Sequence, residues 1–207
     1  MVEGGLRERK KQQTRQLIAQ TAARLFAERG YEQVAIVDVA RAAEVAEKTV
    51  YNYFPTKEHL VVDLEEPLRE RLVELIRTRP THATPAGAIR SEALAFVESI
   101  RDLSPEQVRG GLGHLGVLSP TIRRLSLEMT DRLGAALGDA ICDTTGLDGY
   151  QAHLEGISLA WVFQFITDET GQRSRDGQSP ARIADTLAPI VARLFDRLES
   201  KVVERGP

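Results

Sequence analysis

Three observations predict an all-α fold. Apolar residues recur at three- and four-residue spacing through most of the chain, Pro and Gly punctuate those runs, and no stretch alternates as a strand would. The expected architecture is an N-terminal three-helix unit followed by a helical body, about nine helices in all.

The first helix carries Leu17, Ile18, Ala22, Leu25 and Phe26 on one stripe and stops at Gly30, where a left-handed C-cap costs least. Its approach, residues 7–15, holds five positive charges against one negative. Basic charge at a helix N-terminus opposes the helix dipole. The segment therefore reads either as a solvated helix start or as a flexible basic arm following a phosphate backbone.

Residues 37–54, VDVARAAEVAEKTVYNYF, contain two short helical patterns around a tight corner. Val37, Ala40 and Ala43 fall on one face of the first, with Ala40 small enough for two backbones to cross steeply. In the second, Val50 and Phe54 turn inward at i and i+4, leaving Lys48, Thr49, Asn52 and Tyr53 outward. Such groups reach phosphates or base edges in a major groove; an ordinary helical hairpin with a polar face is the other reading.

After Pro55 a fourth helix is expected over residues 57–79, with Leu60, Leu64, Leu68, Leu72, Leu75 and Ile76 inward and Pro67 kinking or dividing it. Lys57 at its start would combine an ammonium group with free backbone N–H groups as an anion site. A turn over residues 80–85 leads to a fifth helix, 85–103, with the stripe Ile89, Ala93, Phe96, Val97 and Ile100. Ser104-Pro105 opens the next helix by capping logic. Four glycines between residues 110 and 116 make it weak or broken. Pro120 starts a long helix running to residue 143.

The last two helices look built to meet a partner. Residues 149–168 place Leu154, Ile157, Trp161 and Phe165 on one stripe with Gly156 and Ala160 beside it; residues 180–199 place Ile183, Leu187, Ile190, Val191, Leu194 and Phe195 on another. A twofold four-helix interface would use Gly156, Ala160, Leu187, Val191 and Leu194; a monomeric core is the alternative. The polar residues 170–180, TGQRSRDGQSP, read as a mobile loop between them.

Charge is divided unevenly. Residues 1–60 hold ten Lys or Arg and eight Asp or Glu, net +2, against −3 for the whole chain, so the rest carries −5. A mildly basic head on an acidic body fits nucleic-acid contact confined to one end. A single cysteine, Cys142, excludes an intramolecular disulfide framework and a cysteine metal cluster. The start lacks a signal-peptide core and no apolar run approaches a membrane span, so a cytoplasmic protein with no membrane partner is expected. His59, His82, His114 and His153 form no pair at metal spacing, and no nucleophile elbow, phosphate loop or dinucleotide fingerprint appears. No catalytic residue, metal or cofactor is expected.

The first helix with its LFAERGY end, then VDVA, TVYNYF and PTKEHL, resembles in order and spacing the N-terminal DNA-binding domain of the TetR family of transcriptional regulators. The resemblance covers about the first sixty residues. It implies a helix-turn-helix head, residues 1–56, and an effector-binding and dimerisation body, residues 57–207. It further implies that Lys48, Thr49, Tyr51 and Asn52 approach bases or phosphates and that Tyr53 and Lys57 bind phosphate. Packing against the first helix is the other reading of Tyr51.

The resemblance also implies a homodimer on double-stranded DNA, reading a palindromic operator with half-sites about 34 Å apart and released by a small-molecule effector. Phe96, His114, Met129, Trp161 and Phe165 are candidate lining for an apolar or amphipathic ligand, though each also reads as core or interface. Three positions depart from the family pattern: Ala35 and Ala46 replace capping hydroxyls, and Glu44 stands where Gly usually makes the turn. They leave room for a second reading, a helical ligand-binding or interaction module with weakened DNA recognition.

Overall fold

A computed structural model describes the backbone of residues 3–62 and 65–203 and the side chains of residues 9–62 and 66–200. Among the described residues there is no strand. Ten α-helices follow in order: α1 Glu3–Arg29, α2 Ile36–Ala42, α3 Glu47–Tyr53, α4 Glu65–Thr78, α5 Pro85–Ser99, α6 Pro105–Arg109, α7 Leu112–Leu118, α8 Pro120–Thr144, α9 Gly149–Arg175 and α10 Pro180–Val203. Two 3-10 turns, Glu58–Leu60 and Ile100–Asp102, complete the set. No described helix is long and apolar enough to cross a membrane.

Two apolar cores organise the helices. The first gathers Ile18, Ala22, Leu25 and Phe26 of α1 with Val39 and Ala40 of α2, Val50 of α3 and Phe54, all nearly inaccessible. Burying Phe54 and Phe26 alone is worth roughly 2–3 kcal/mol each. The second unites α4, α5, α8, α9 and α10 through Leu72, Ile76, Ile89, Val97, Leu137, Ile141, Leu159, Leu187 and Phe195.

Several expected faces shift. Leu17 and Val37 are exposed, and Ile36 and Val39 take the inward places on α2. With 100° per residue, Ile36, Val39, Ala40 and Ala43 make the tighter stripe, which leaves Val37 on the outer edge. The basic approach is not a flexible arm: α1 already runs from Glu3, and Arg15 lays its guanidinium 4.9 Å from the centre of the Phe54 ring. The fourth helix does not begin at Lys57. A 3-10 turn puts Leu60 into the head core, and α4 opens at Glu65 with Pro67 in its first turn, where a missing N–H costs nothing. Leu64 lies outside the described residues.

Residues 170–175 continue α9 rather than forming a loop, and the reversal is confined to Gly177 at φ 78° before α10. Polar composition there reflects the solvated end of a helix with Arg173 and Arg175 in its last turn, the favourable place for positive charge.

The glycine-rich segment does break, into α6 and α7, but its glycines are contact points. A Cβ at Gly110 would lie 2.1 Å from the Ala23 carbonyl oxygen of α1, and one at Gly113 would lie 2.2 Å from that of Thr167 in α9. Backbones meet there, so any side chain would push the helices apart. The same region ties the two cores together: Leu115 and Ile122 are buried in the head core, and the Ser119 hydroxyl donates 2.6 Å to Glu32 Oε1.

Candidate nucleic-acid interface and effector cavity

The corner between α2 and α3 closes on a backbone bond from the Val45 N–H to the Ala40 carbonyl, 3.0 Å, with Ala40 buried where the helices approach. Glu44 takes φ 55°, the left-handed conformation that favours glycine. Neither Ala35 nor Ala46 can cap its helix through a side chain, and only the Asp38 carboxylate, accepting from the Ala35 N–H at 3.0 Å, supplies half of a capping box. Glu44→Gly is therefore expected to stabilise the protein by about 1 kcal/mol, the cost of a side chain in that backbone region. A rise of the denaturation midpoint at unchanged slope checks it, and an unchanged or lowered midpoint refutes it.

On α3 the exposed side chains are Glu47, Lys48, Tyr51 and Asn52, while Thr49 and Tyr53 are partly buried and Val50 is fully so. Tyr51 is 46 % exposed and is not among the residues of the head core. Tyr53 rests its ring on the head core. The outward groups form one polar surface, with Lys48 and Asn52 one turn apart.

Lys57 is differently placed from its expected position at a helix start. Its ammonium sits 4.0 Å above the Tyr31 ring, and burial lowers its pKa against the pull of Glu32 and Glu58. The Tyr31 phenol is buried and its pKa is raised by that burial and by Glu58; the Glu58 carboxyl is held low first by the Thr56 hydroxyl. Tyr31 and Glu58 carried no periodic signal as members of this cluster, because a loop and a 3-10 turn bring them together.

The body holds a half-open cavity of about 210 Å³ between α4, α5, α7, α8 and α9. Phe96 and Met129 line it as expected, together with Leu68, Leu112, Leu133 and Phe163. Val61 and Val62, which directly follow the head's last turn, also reach it. Its polar lining includes Arg69 of α4 and Thr167 of α9, with Ser126 and Thr130 on α8 and Gln164 on α9, the last three all buried. The sequence held a signal for these three: each lies on the inward stripe of an otherwise apolar helix face.

His114, Trp161 and Phe165 do not line the cavity. Trp161 is 45 % exposed on the outer side of α9, and Phe165 packs on the body core. His114 faces the end of α9 instead, its Nδ1 3.0 Å from the Ser174 hydroxyl. Burial lowers its pKa, and Arg109 and Arg175 add to the shift. Since the folded pKa lies below the unfolded one, near 6.5, the unfolded chain takes up the proton first and stability falls as pH drops below about 6.5. His114→Gln is expected to fall less in melting temperature between pH 7 and pH 5 than the parent; equal falls would remove His114 as the cause.

The residues expected at a dimer interface are engaged within the protomer. Gly156 is spent within the chain: a Cβ there would meet Gly138 N at 2.4 Å and Gly134 O at 2.5 Å, so α8 and α9 cross backbone to backbone. Ala160, Leu187 and Val191 are buried in the body core, and Leu194 is partly buried against it. Small and aliphatic residues fit a core as well as an interface, so spacing alone could not separate the two. The outward apolar stripe is Tyr150, Leu154 and Trp161, 91 %, 62 % and 45 % exposed, at i, i+4 and i+11 along α9.

Comparison with known proteins places the fold. The family described as bacterial regulatory proteins, tetR family, matches residues 18–64. The HTH-type transcriptional regulator EthR of Mycolicibacterium smegmatis is 35 % identical over 181 residues, 84 % of this chain and 82 % of that protein. TcmR of Streptomyces glaucescens, also an HTH-type transcriptional regulator, is 31 % identical over 139 residues, 62 % of this chain; the chain thus spans 61 % of that relative's length. Among solved structures, NalD, the secondary repressor of the MexAB-OprM multidrug efflux pump in Pseudomonas aeruginosa, shares the fold at a TM-score of 0.55 and 19 % identity, over 88 % of this chain and 96 % of its own. The chain belongs to the TetR family of transcriptional regulators.

Proposed function

We propose that this protein is a homodimeric repressor that holds a palindromic operator through α3 and releases it when a small apolar or amphipathic effector fills the cavity of the body. The observation that carries the reading is the reach of that cavity: Val61, Val62, Leu68 and Arg69 bring its wall to the junction between the head's last turn and α4. An occupant that prefers one position of α4 shifts the head by the difference in its affinity for the two positions.

The functional division runs between a DNA-contacting head, residues 1–56, and a body, residues 57–207. Lys48, Thr49, Tyr51 and Asn52 serve as base and phosphate contacts, with Tyr53 and Lys57 on the backbone. Lys57 does so while stacked on Tyr31, so it contributes as a positioned charge rather than a mobile one. The twofold partner packs on the outward stripe of α9, Tyr150, Leu154 and Trp161, whose exposure on an amphipathic helix supports an occupied face. Two heads so joined read half-sites about 34 Å apart.

One feature favours a second reading, a ligand-binding module with weak DNA recognition: α2 and α3 both lack side-chain caps and Glu44 is strained. Selection of random duplex DNA by the purified protein, at fixed salt and repeated with candidate ligands, separates them. A palindromic consensus lost on adding a ligand supports the repressor. Enrichment of no sequence supports the second reading, and a ligand that tightens binding overturns release as the mechanism.

A further inference from the structure

Three of the polar side chains that line the cavity form one connected set. Ser126 donates its hydroxyl hydrogen to Gln164 Oε1 at 2.9 Å, Thr130 shares its one hydroxyl hydrogen between the same oxygen at 2.6 Å and the Ser126 carbonyl at 3.0 Å, and Gln164 Nε2 donates to Asp168 Oδ1 at 2.7 Å. Asp168 is paired in turn with Arg123. Ser126, Thr130 and Gln164 are between 3 % and 7 % exposed, while the Asp168–Arg123 pair lies nearer the solvent.

The inventory of this wall specifies a ligand. The Gln164 carbonyl oxygen has two lone pairs, and the two hydroxyls occupy both. One amide hydrogen goes to Asp168, leaving the second without a partner among the described residues. The hydroxyl oxygens of Ser126 and Thr130 have spent their hydrogens and keep lone pairs able to accept. The wall thus offers one donor beside two acceptors, the pattern that a single alcohol or phenol group satisfies by accepting from the amide and donating to a hydroxyl oxygen.

Charge narrows the class further. Asp168 is neutralised by Arg123, and the guanidinium of Arg69, on the α4 side, is held 2.6 Å from Glu66. At the Gln164 wall a carboxylate, which has only acceptors, would find one amide donor, the Arg69 guanidinium across the cavity being already paired with Glu66; an ammonium has only donors and would meet two weak acceptors in place of its water. Size sets the rest. A 150 Å³ apolar cavity holds benzene, so about 210 Å³ suits one ring or two fused rings rather than a drug-sized ligand.

We infer that the effector is a compact, neutral, aromatic or alicyclic alcohol or phenol, its hydroxyl seated between Gln164 and the hydroxyls of Ser126 and Thr130. This rests on the reading of the cavity as the effector site.

Isothermal titration of the full chain with 1-naphthol, naphthalene and 1-naphthoate tests it. 1-Naphthol is expected to bind at least tenfold more tightly than either other compound. Thr130→Val, which keeps the side-chain shape, should cut that preference severalfold while leaving naphthalene affinity unchanged, and Leu133→Trp should abolish binding by filling the space. Circular dichroism and the melting temperature show that each variant is folded. If naphthalene or 1-naphthoate binds as tightly as 1-naphthol and Leu133→Trp blocks it, the ligand class is wrong and the cavity reading stands. Should none of the three bind, or should binding survive Leu133→Trp in a folded protein, the cavity reading fails and the inference with it.

Discussion

Gly156→Val is expected to destabilise the protein by about 3 kcal/mol, the upper end of what overpacking a close-packed interior costs. Gly156 faces the backbone of α8, with Gly134 and Gly138 opposite, at separations that no side chain can share. Because both partners are backbone atoms of long helices, the strain cannot be relieved by a rotamer change and must separate α8 from α9. That pair also carries Leu137, Ile141 and Leu159 of the body core, so the loss propagates into apolar burial. Gly149→Ala is the matched control: nothing lies within 4 Å of its Cβ, and its stability should stay within about 0.5 kcal/mol of the parent. Equilibrium urea unfolding at constant slope reads both. A tolerated valine would mean that the seam is looser than its geometry and that α9 does not fix the cavity wall.

Asn52→Ala is expected to cost about 1–3 kcal/mol on the selected operator and to relax preference at one base position of each half-site, because an amide reads an adenine edge through two hydrogen bonds. Lys57→Ala should instead weaken binding to every sequence alike and flatten the salt slope by about one. It also removes the ammonium from the Tyr31 ring, a contact worth about 0.5–1 kcal/mol, so its stability is measured beside its affinity. Operator binding followed by fluorescence anisotropy across a salt series separates the two behaviours. If Asn52→Ala lowers affinity for operator and unrelated DNA by the same factor, Asn52 contacts phosphate and the base assignment falls.

Much of this molecule is legible from spacing. Val50 and Phe54 turn inward, Gly30 closes α1, Ser104 and Ser119 cap α6 and α8, and Pro120 opens α8 as capping chemistry predicts. These features depend on neighbours within about four residues, the range over which helix periodicity and capping act. The departures at Ala35, Glu44 and Ala46 are legible for the same reason, and each appears in the backbone as a missing cap or a positive φ.

The errors share a physical origin. Leu187, Val191, Gly156 and Ala160 look alike whether they face a core or a partner, because the free energy of apolar burial does not depend on which chain supplies the neighbour. The glycines of residues 110–116 read from composition only as a break in the helix, which they are, whereas Gly110 and Gly113 are also sites where α1 and α9 come within reach of the backbone. The sequence by itself determined the all-α class, the helix-turn-helix head and its outward α3 face, since these follow from local periodicity and turn chemistry. Only the tertiary structure decided that Tyr31, Lys57 and Glu58 cluster, that Val61 and Val62 border the cavity, and that Ser126, Thr130 and Gln164 join across two helices. Those contacts join residues far apart along the chain, and their positions follow from how whole helices pack rather than from any repeat within one of them.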